Sequence, residues 1–297
     1  MKQQILLFAI ILGLSNHSLF SQQIADEAIE ITIEHSTYSN NGPTIAIDGG
    51  HNNFHKLDGR FEPFARLMRL DGYQVEDIQQ FNPTDLKEID MLVISNPLNK
   101  INIGNWKNPC PSAFTAEEIK NVKTWVKKGG RLLLIADHMP FGGAAQKMAQ
   151  AFGFDFANGF AMAPKQIWPP DTFQKSDGTL KDHPITKDIP SLAAFTGSAI
   201  KAPKKATILA IFPEGHEVLL PKVAWQFTDD TPKESGSRYA QGAIMEFGKG
   251  KIGVFSEAAM FSAQIANNGK TKVGFNANEA KYNQAFILNL MHWLTGK

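Results

Sequence analysis

The feature that most limits this fold is a set of short runs in which apolar residues do not alternate with polar ones. Met91-Leu92-Val93-Ile94 and Leu132–Ala136 are continuous. A strand facing water on one side alternates, so a continuous run needs cover on both faces of its sheet. The stretches around these runs supply that cover. Phe61–Leu70 carries Phe61, Phe64, Ala65 and Met68 at helical spacing and stops at Asp71-Gly72. Thr115 followed by Glu118 is a capping box that opens a helix through Ile119, Val122 and Val126, ended by Gly129-Gly130. Gly142–Gly153 reads as a short helix. With Thr44–Ile47 and Tyr73–Ile78 as strands, strands and helices interleave along this half of the chain. That order predicts an α/β fold, a doubly wound and mostly parallel sheet with helices on both faces.

Further strands are expected at Ala206–Phe212, Val223–Phe227, Gly242–Phe247 and Ile252–Phe255. The last two are joined by Gly248-Lys249-Gly250-Lys251, an antiparallel elaboration near the C-terminus. Tyr282–Leu294 reads as the final helix. Residues 157–205, rich in Pro, Asp and Lys and without periodicity, read as a functional excursion from the same sheet.

The start of the chain has a different character. Lys2 precedes the apolar run Ile5–Leu14, too short to span a bilayer and suited to the core of a secretory signal peptide cut near Ser21. The expected organisation is a leader over 1–21, a weakly patterned lead-in over 22–43, and a single α/β domain over 44–297. The expected location is secreted or periplasmic, with no stable membrane insertion after signal removal. The chain has 30 basic and 29 acidic residues, and without Lys2 the two are equal at 29. A neutral body has no basic field for nucleic acid. The single cysteine, Cys110, excludes an internal disulfide framework and a Cys-rich metal cluster.

In open α/β sheets, ligands bind beyond the carboxyl ends of the strands, and the polar residues collect there. After the first strand come Asp48, Gly49, Gly50, His51, Asn52, Asn53 and His55. Asn96 follows the third, Asp137, His138 and Phe141 follow the fourth, and Glu257 follows the last. Asp48, His51, Asp137, His138 and Glu257 are the candidate catalytic residues, as carboxylate bases and orienting or protonating imidazoles. Gly49, Gly50, Asn52, Asn53, His55, Asn96 and Phe141 are the candidate ligand contacts. The glycines fit either a positive φ or close approach of a ligand. Each has a plainer alternative: turn chemistry for His51 and Asn52, a helix cap for Asp137, space filling for His138, a first-turn acid for Glu257. There is no G-x-G-x-x-G, no P-loop and no metal-ligand spacing, so no cofactor and no metal are expected.

Asp90–Ile94, the helix from Phe114-Thr115 through Trp125, Gly129–Ile135, Asp182-His183-Pro184-Ile185-Thr186 and Gly248–Ile252 together resemble the class I glutamine-amidotransferase-like superfamily. The likeness is to branches without the catalytic cysteine, including trehalose-utilisation-type proteins. It spans most of 44–296 and implies a flavodoxin-like sheet. The family's nucleophilic cysteine belongs at the turn that here holds Asp137-His138, so the thiol route to glutamine hydrolysis is not carried over. The resemblance implies a small-molecule or glycan ligand. Three readings follow: a hydrolase acting on a carbohydrate-type substrate, a non-catalytic sugar-binding module, and a structural envelope protein. Convergence of the first, fourth and last strand loops discriminates the first two from the third.

Overall fold

The computed structural model describes residues 23–39, 41–164, 170–267 and 269–297. The expected leader over 1–21 lies outside the described residues. The main sheet has nine strands: Thr44–Asp48 (β1), Gln74–Ile78 (β2), Met91–Ser95 (β3), Arg131–Ile135 (β4), Asp155–Ala157 (β5), Ala199–Lys201 (β6), Thr207–Ile211 (β7), Ala240–Phe247 (β8) and Gly250–Phe255 (β9). Their spatial order is β2-β1-β3-β4-β9-β8-β6-β5, with β7 also paired to β8. β2, β1, β3, β4 and β9 run parallel. From β8 onward every pairing is antiparallel.

Both faces are covered, as the continuous apolar runs require. Among the described residues five α-helices flank the sheet: Glu62–Leu70 (α1), Pro83–Lys87 (α2), Ala116–Lys128 (α3), Phe141–Gln150 (α4) and Asn283–Thr295 (α5). Side chains along the central strands divide between two cores. Ile45, Ile47, Met91, Val93, Leu133 and Ile135 join Phe64 and Leu67 of α1 and Phe286 and Leu290 of α5. Ala46, Leu92, Ile94, Leu132 and Leu134 join Leu86, Val122, Val126 and Met148 from α2, α3 and α4. Burying each such large apolar side chain contributes about 1.5–3 kcal/mol. The capping box at Thr115 forms as expected, with the Thr115 side chain bonded to the Glu118 N–H and the Glu118 carboxylate bonded back.

Three stretches differ from expectation. The lead-in contains a two-residue strand, Ile24–Ala25, paired antiparallel with Ile265 and Gln264 of the strand Ala263–Ala266. Thr271–Gly274 completes that three-stranded sheet. The strand expected at Val223–Phe227 does not form, because Trp225 adopts φ 65°, which an extended run cannot contain. The excursion over 157–205 holds Phe160–Met162, Asp171–Gln174, Ser191–Ala194 and β6. Strands of three or four residues are too short to show a period of two.

Candidate functional site

The loops after β1, β3, β4 and β9 meet at the carboxyl ends of the parallel strands. The first cluster is built on Asp48, which is fully buried at the end of β1. Its Oδ1 accepts from His51 Nδ1 at 2.8 Å and from the Gly50 N–H at 3.1 Å, and its Oδ2 accepts from Asn53 Nδ2 at 3.0 Å. His51 Nε2 reaches Glu118 Oε1 of α3 at 3.0 Å. Glu118 therefore caps α3 with one oxygen and holds His51 with the other. Its position in the capping box accounted for the residue fully, so nothing in the sequence pointed to the second role. Burial is the largest influence on the His51 pKa and lowers it, but Asp48 and Glu118 together outweigh burial and raise it. With a carboxylate on each ring nitrogen the protonated form of His51 is favoured, and its ring packs against the Phe81 and Phe114 pair at 4.6 and 4.7 Å.

The glycines after β1 have a steric reason. Neither has a positive φ. A Cβ on Gly49 would run into the Asp77 carboxylate, and one on Gly50 into the backbone carbonyl of Gln79. The close approach is that of the chain leaving β2. The left-handed backbone positions belong instead to Asn52 (φ 50°) and Asn96 (φ 49°). Asparagine is enriched there because its short polar side chain bonds locally. Asn52 Nδ2 donates to the Leu98 carbonyl at 3.1 Å and is exposed.

The second cluster centres on Asn96, fully buried just past β3. Its Nδ2 donates to Asp137 Oδ2 at 2.7 Å and to His55 Nδ1 at 3.0 Å, and its Oδ1 accepts from the Asp137 N–H at 2.8 Å. Burial, reinforced by Arg60, pushes His55 down to about 3, so its ring is neutral. His55 Nε2 lies 3.2 Å from the side-chain nitrogen of Gln264. The two clusters are linked by Asn53 Nδ2 donating to the Ser95 carbonyl and by the Phe54 N–H donating to the Asn96 carbonyl.

Asp137 and Glu257 follow the neighbouring strands β4 and β9. The Ala258 N–H donates to Asp137 Oδ1, and Glu257 accepts from the N–H groups of Ala259 and Met260 at 2.7 and 2.9 Å. Glu257 thus does what a first-turn acid does, while Asp137 ties two strand ends together and leaves the N-terminus of α4 uncapped by a side chain. Burial raises Asp137 to about 7, and burial with the nearby Asp137 charge raises Glu257 to about 8. Two such carboxyls share protons as a pair.

His138 belongs to neither cluster. Its ring stacks on Phe160 at 4.5 Å and meets Trp225 edge-on at 4.8 Å, with Trp106 and Phe141 within 6 Å. Burial lowers its pKa to about 4, and Nδ1 donates to the Met139 carbonyl at 2.7 Å. Phe141 joins the same aromatic group, 5.4 Å from Phe54 and 5.3 Å from Trp106. Two further histidines contact carboxylates. His292 contacts Asp71 at 2.6 Å, and His216 is buried against Asp171 at 2.9 Å. Among the described residues, no group of three or more His, Cys, Asp or Glu is placed to hold a metal ion.

Over the loops after β1 and β3 lies an open cleft of about 610 Å³, lined by Asn52, Phe54, Lys56, Arg60, Leu98 and Trp106. Trp106 is one of the tryptophans that the sequence offers either as a sugar-stacking ring or as partial core; Arg60 was not singled out as a ligand contact. Arg60 lies in a loop whose charged residues look like ordinary surface.

No protein-family model and no curated protein sequence matches the chain. Solved structures do match. The mmIFT52 N-terminal domain is similar with a TM-score of 0.59 and 12% identity, covering 84% of this chain and 97% of that one. Cytoplasmic protein STM1381 from Salmonella typhimurium LT2 gives 0.51 and 13%, covering 84% and 98%. A ThuA-like protein from Bacteroides uniformis ATCC 8492 gives 0.45 and 13%, covering 89% and 94%. At these identities the likeness is one of fold, an α/β body with a large sheet, and fold does not carry function.

Proposed function

We propose that this chain is a ligand-binding protein of flavodoxin-like fold that takes a small polar ligand of carbohydrate type in the cleft over β1 and β3. The parallel strands follow the order β2-β1-β3-β4-β9. In that arrangement the strand order reverses between β1 and β3, where flavodoxin-like sheets open a crevice. The observation that carries the reading is that the 610 Å³ cleft lies at this reversal, with the Trp106 indole, the Phe54 ring and the Asn52 amide in its lining. Aromatic faces with planar polar groups are the chemistry that sugars need. The lining residue Asn53 also bonds to Asp48, one of the buried strand-end acids. The leader-like start adds an envelope or extracellular setting to the reading.

The test is calorimetric titration of the mature protein with a panel of neutral and acidic oligosaccharides. Trp106→Ala is expected to weaken binding at least about tenfold, the loss of one stacking face, with an unchanged circular dichroism spectrum. A panel with no binder, or binding indifferent to Trp106→Ala, overturns the reading.

A second reading is favoured by the carboxyl pair. Asp137 and Glu257 are raised to where one can donate and the other accept a proton near neutral pH. This is the pattern of a hydrolase acting on a carbohydrate-type substrate. Turnover of a bound oligosaccharide that is abolished in Asp137→Asn supports it, and binding without turnover refutes it.

A further inference from the structure

We propose that the ligand of this cleft carries a carboxylate, seated on Arg60, so that the preferred class is an acidic sugar of the hexuronate type. This rests on the cleft reading above and names its ligand class. Arg60 borders the 610 Å³ cleft and also a second open cavity of about 540 Å³ along residues 23–28. Its guanidinium lies 3.8 Å over the Phe54 ring, and Nη1 donates to the Phe54 carbonyl at 3.1 Å. Ser262 Oγ holds its backbone carbonyl. Both ends of the residue are therefore positioned.

What Arg60 lacks is a counter-ion. Among the described residues no carboxylate comes within 4.0 Å of its guanidinium, and its buried Nε has no hydrogen-bond partner. Glu62, the nearest acid along α1, turns to Arg66 at 3.6 Å. Burial lowers the Arg60 pKa, and no acid offsets that effect. An unpaired, partly buried guanidinium is costly unless something completes it.

The group that completes it best is a monoanion. A guanidinium carries parallel N–H donors that match a carboxylate fork to fork. The neighbouring charges are one of each sign, Lys56 in the cleft and Asp58 at its rim, and His55 beneath is neutral. That balance suits a single negative charge better than a phosphate dianion. Trp106 stands 5.6 Å from the same Phe54 ring, so a sugar stacked on the indole has its carboxylate within reach of Arg60.

Three trisaccharides test the proposal: trigalacturonate, its fully methyl-esterified form, and neutral galactotriose. The wild-type protein is expected to bind the free acid about tenfold to a hundredfold tighter than the ester, the range for a charge-assisted hydrogen bond. In Arg60→Gln the preference falls below about threefold while ester affinity is kept; Arg60→Lys retains part of it. The wild-type acid-to-ester ratio decides the matter even where Arg60→Gln does not fold. Equal binding of acid and ester, each sensitive to Trp106→Ala, refutes the carboxylate and leaves the cleft standing. Tighter binding of inorganic phosphate than of trigalacturonate refutes it too. Failure of all three sugars refutes the cleft reading and this one with it.

Discussion

Replacing Asn96 by Ala is the most informative single perturbation of the strand-end network. Three buried groups lose their partner together: Asp137 Oδ2, the Asp137 N–H and His55 Nδ1. Each buried polar group left unsatisfied costs about 1–3 kcal/mol. Alanine must also occupy φ 49°, a left-handed position that costs a non-glycine residue about 1 kcal/mol. Taking the lower half of the range for each orphan, the expected loss is about 5 kcal/mol. That is a large part of the 5–15 kcal/mol typical of a domain. Asn96→Gly loses the same bonds without the backbone cost and is expected to be about 1 kcal/mol more stable than Asn96→Ala. Urea unfolding followed by tryptophan fluorescence, extrapolated linearly to water, reads both differences. An Asn96→Ala protein within about 1.5 kcal/mol of the wild type would show that the network is not closed as described. A Gly variant no more stable than Ala would refute the backbone argument.

Stability is expected to fall as pH rises from about 6.5 to 8.5. Asp137 and Glu257 are raised in the folded chain, so their contribution is full below the ordinary carboxylate range and is lost through about 7 and 8. His51, also raised, adds a loss of the same sign above 6.5. His55 and His138 are lowered to about 3 and 4, so their contribution is lost as pH falls below 6.5. Between about 4.5 and 6.5 the carboxyl loss and the histidine gain oppose each other, so a Tm series should be nearly level there and fall from about 6.5 to 8.5, with a shallower alkaline fall in Asp137→Asn; a flat or rising Tm above pH 6.5 contradicts the pair. His51→Gln reaches only one of two carboxylates and leaves the buried Asp48 uncompensated. Its expected cost in urea unfolding is about 3 kcal/mol, and a cost under about 1 kcal/mol would mean that solvent already screens the chain from Asp48 to Glu118.

The parallel half of the sheet was legible because its signal is local. Met91–Ile94 and Leu132–Ile135 announce strands by composition, and Thr115 with Glu118 announces a helix start. The convergence of the loops after β1, β3, β4 and β9 followed from topology. Pairings between distant residues were not legible. Glu118 lies 67 residues from His51, and Gln264 lies 209 from His55. Single amides and acids in ordinary surroundings carry no mark of such a partner. The strand expected at Val223–Phe227 failed for the opposite reason. Its apolar residues suit a strand, but Trp225 turns its backbone to pack edge-on against His138 and Phe160. Ile24–Ala25 is too short for any pattern, and its partners lie some 240 residues away.

That short pairing has a mechanical consequence. Ile24 and Ala25 are laced to Ile265 and Gln264, and Asn276 ties Asp26 to the same strand through the Gln264 carbonyl. The Gln264 side chain in turn touches His55. Tension applied upstream of residue 24 would be borne first by two residue pairs, opened one after the other as a seam is unpicked. Once they part, one side chain separates the seam from the buried imidazole. The first water to reach the interior under load would arrive at Gln264, long before the parallel strands felt any strain.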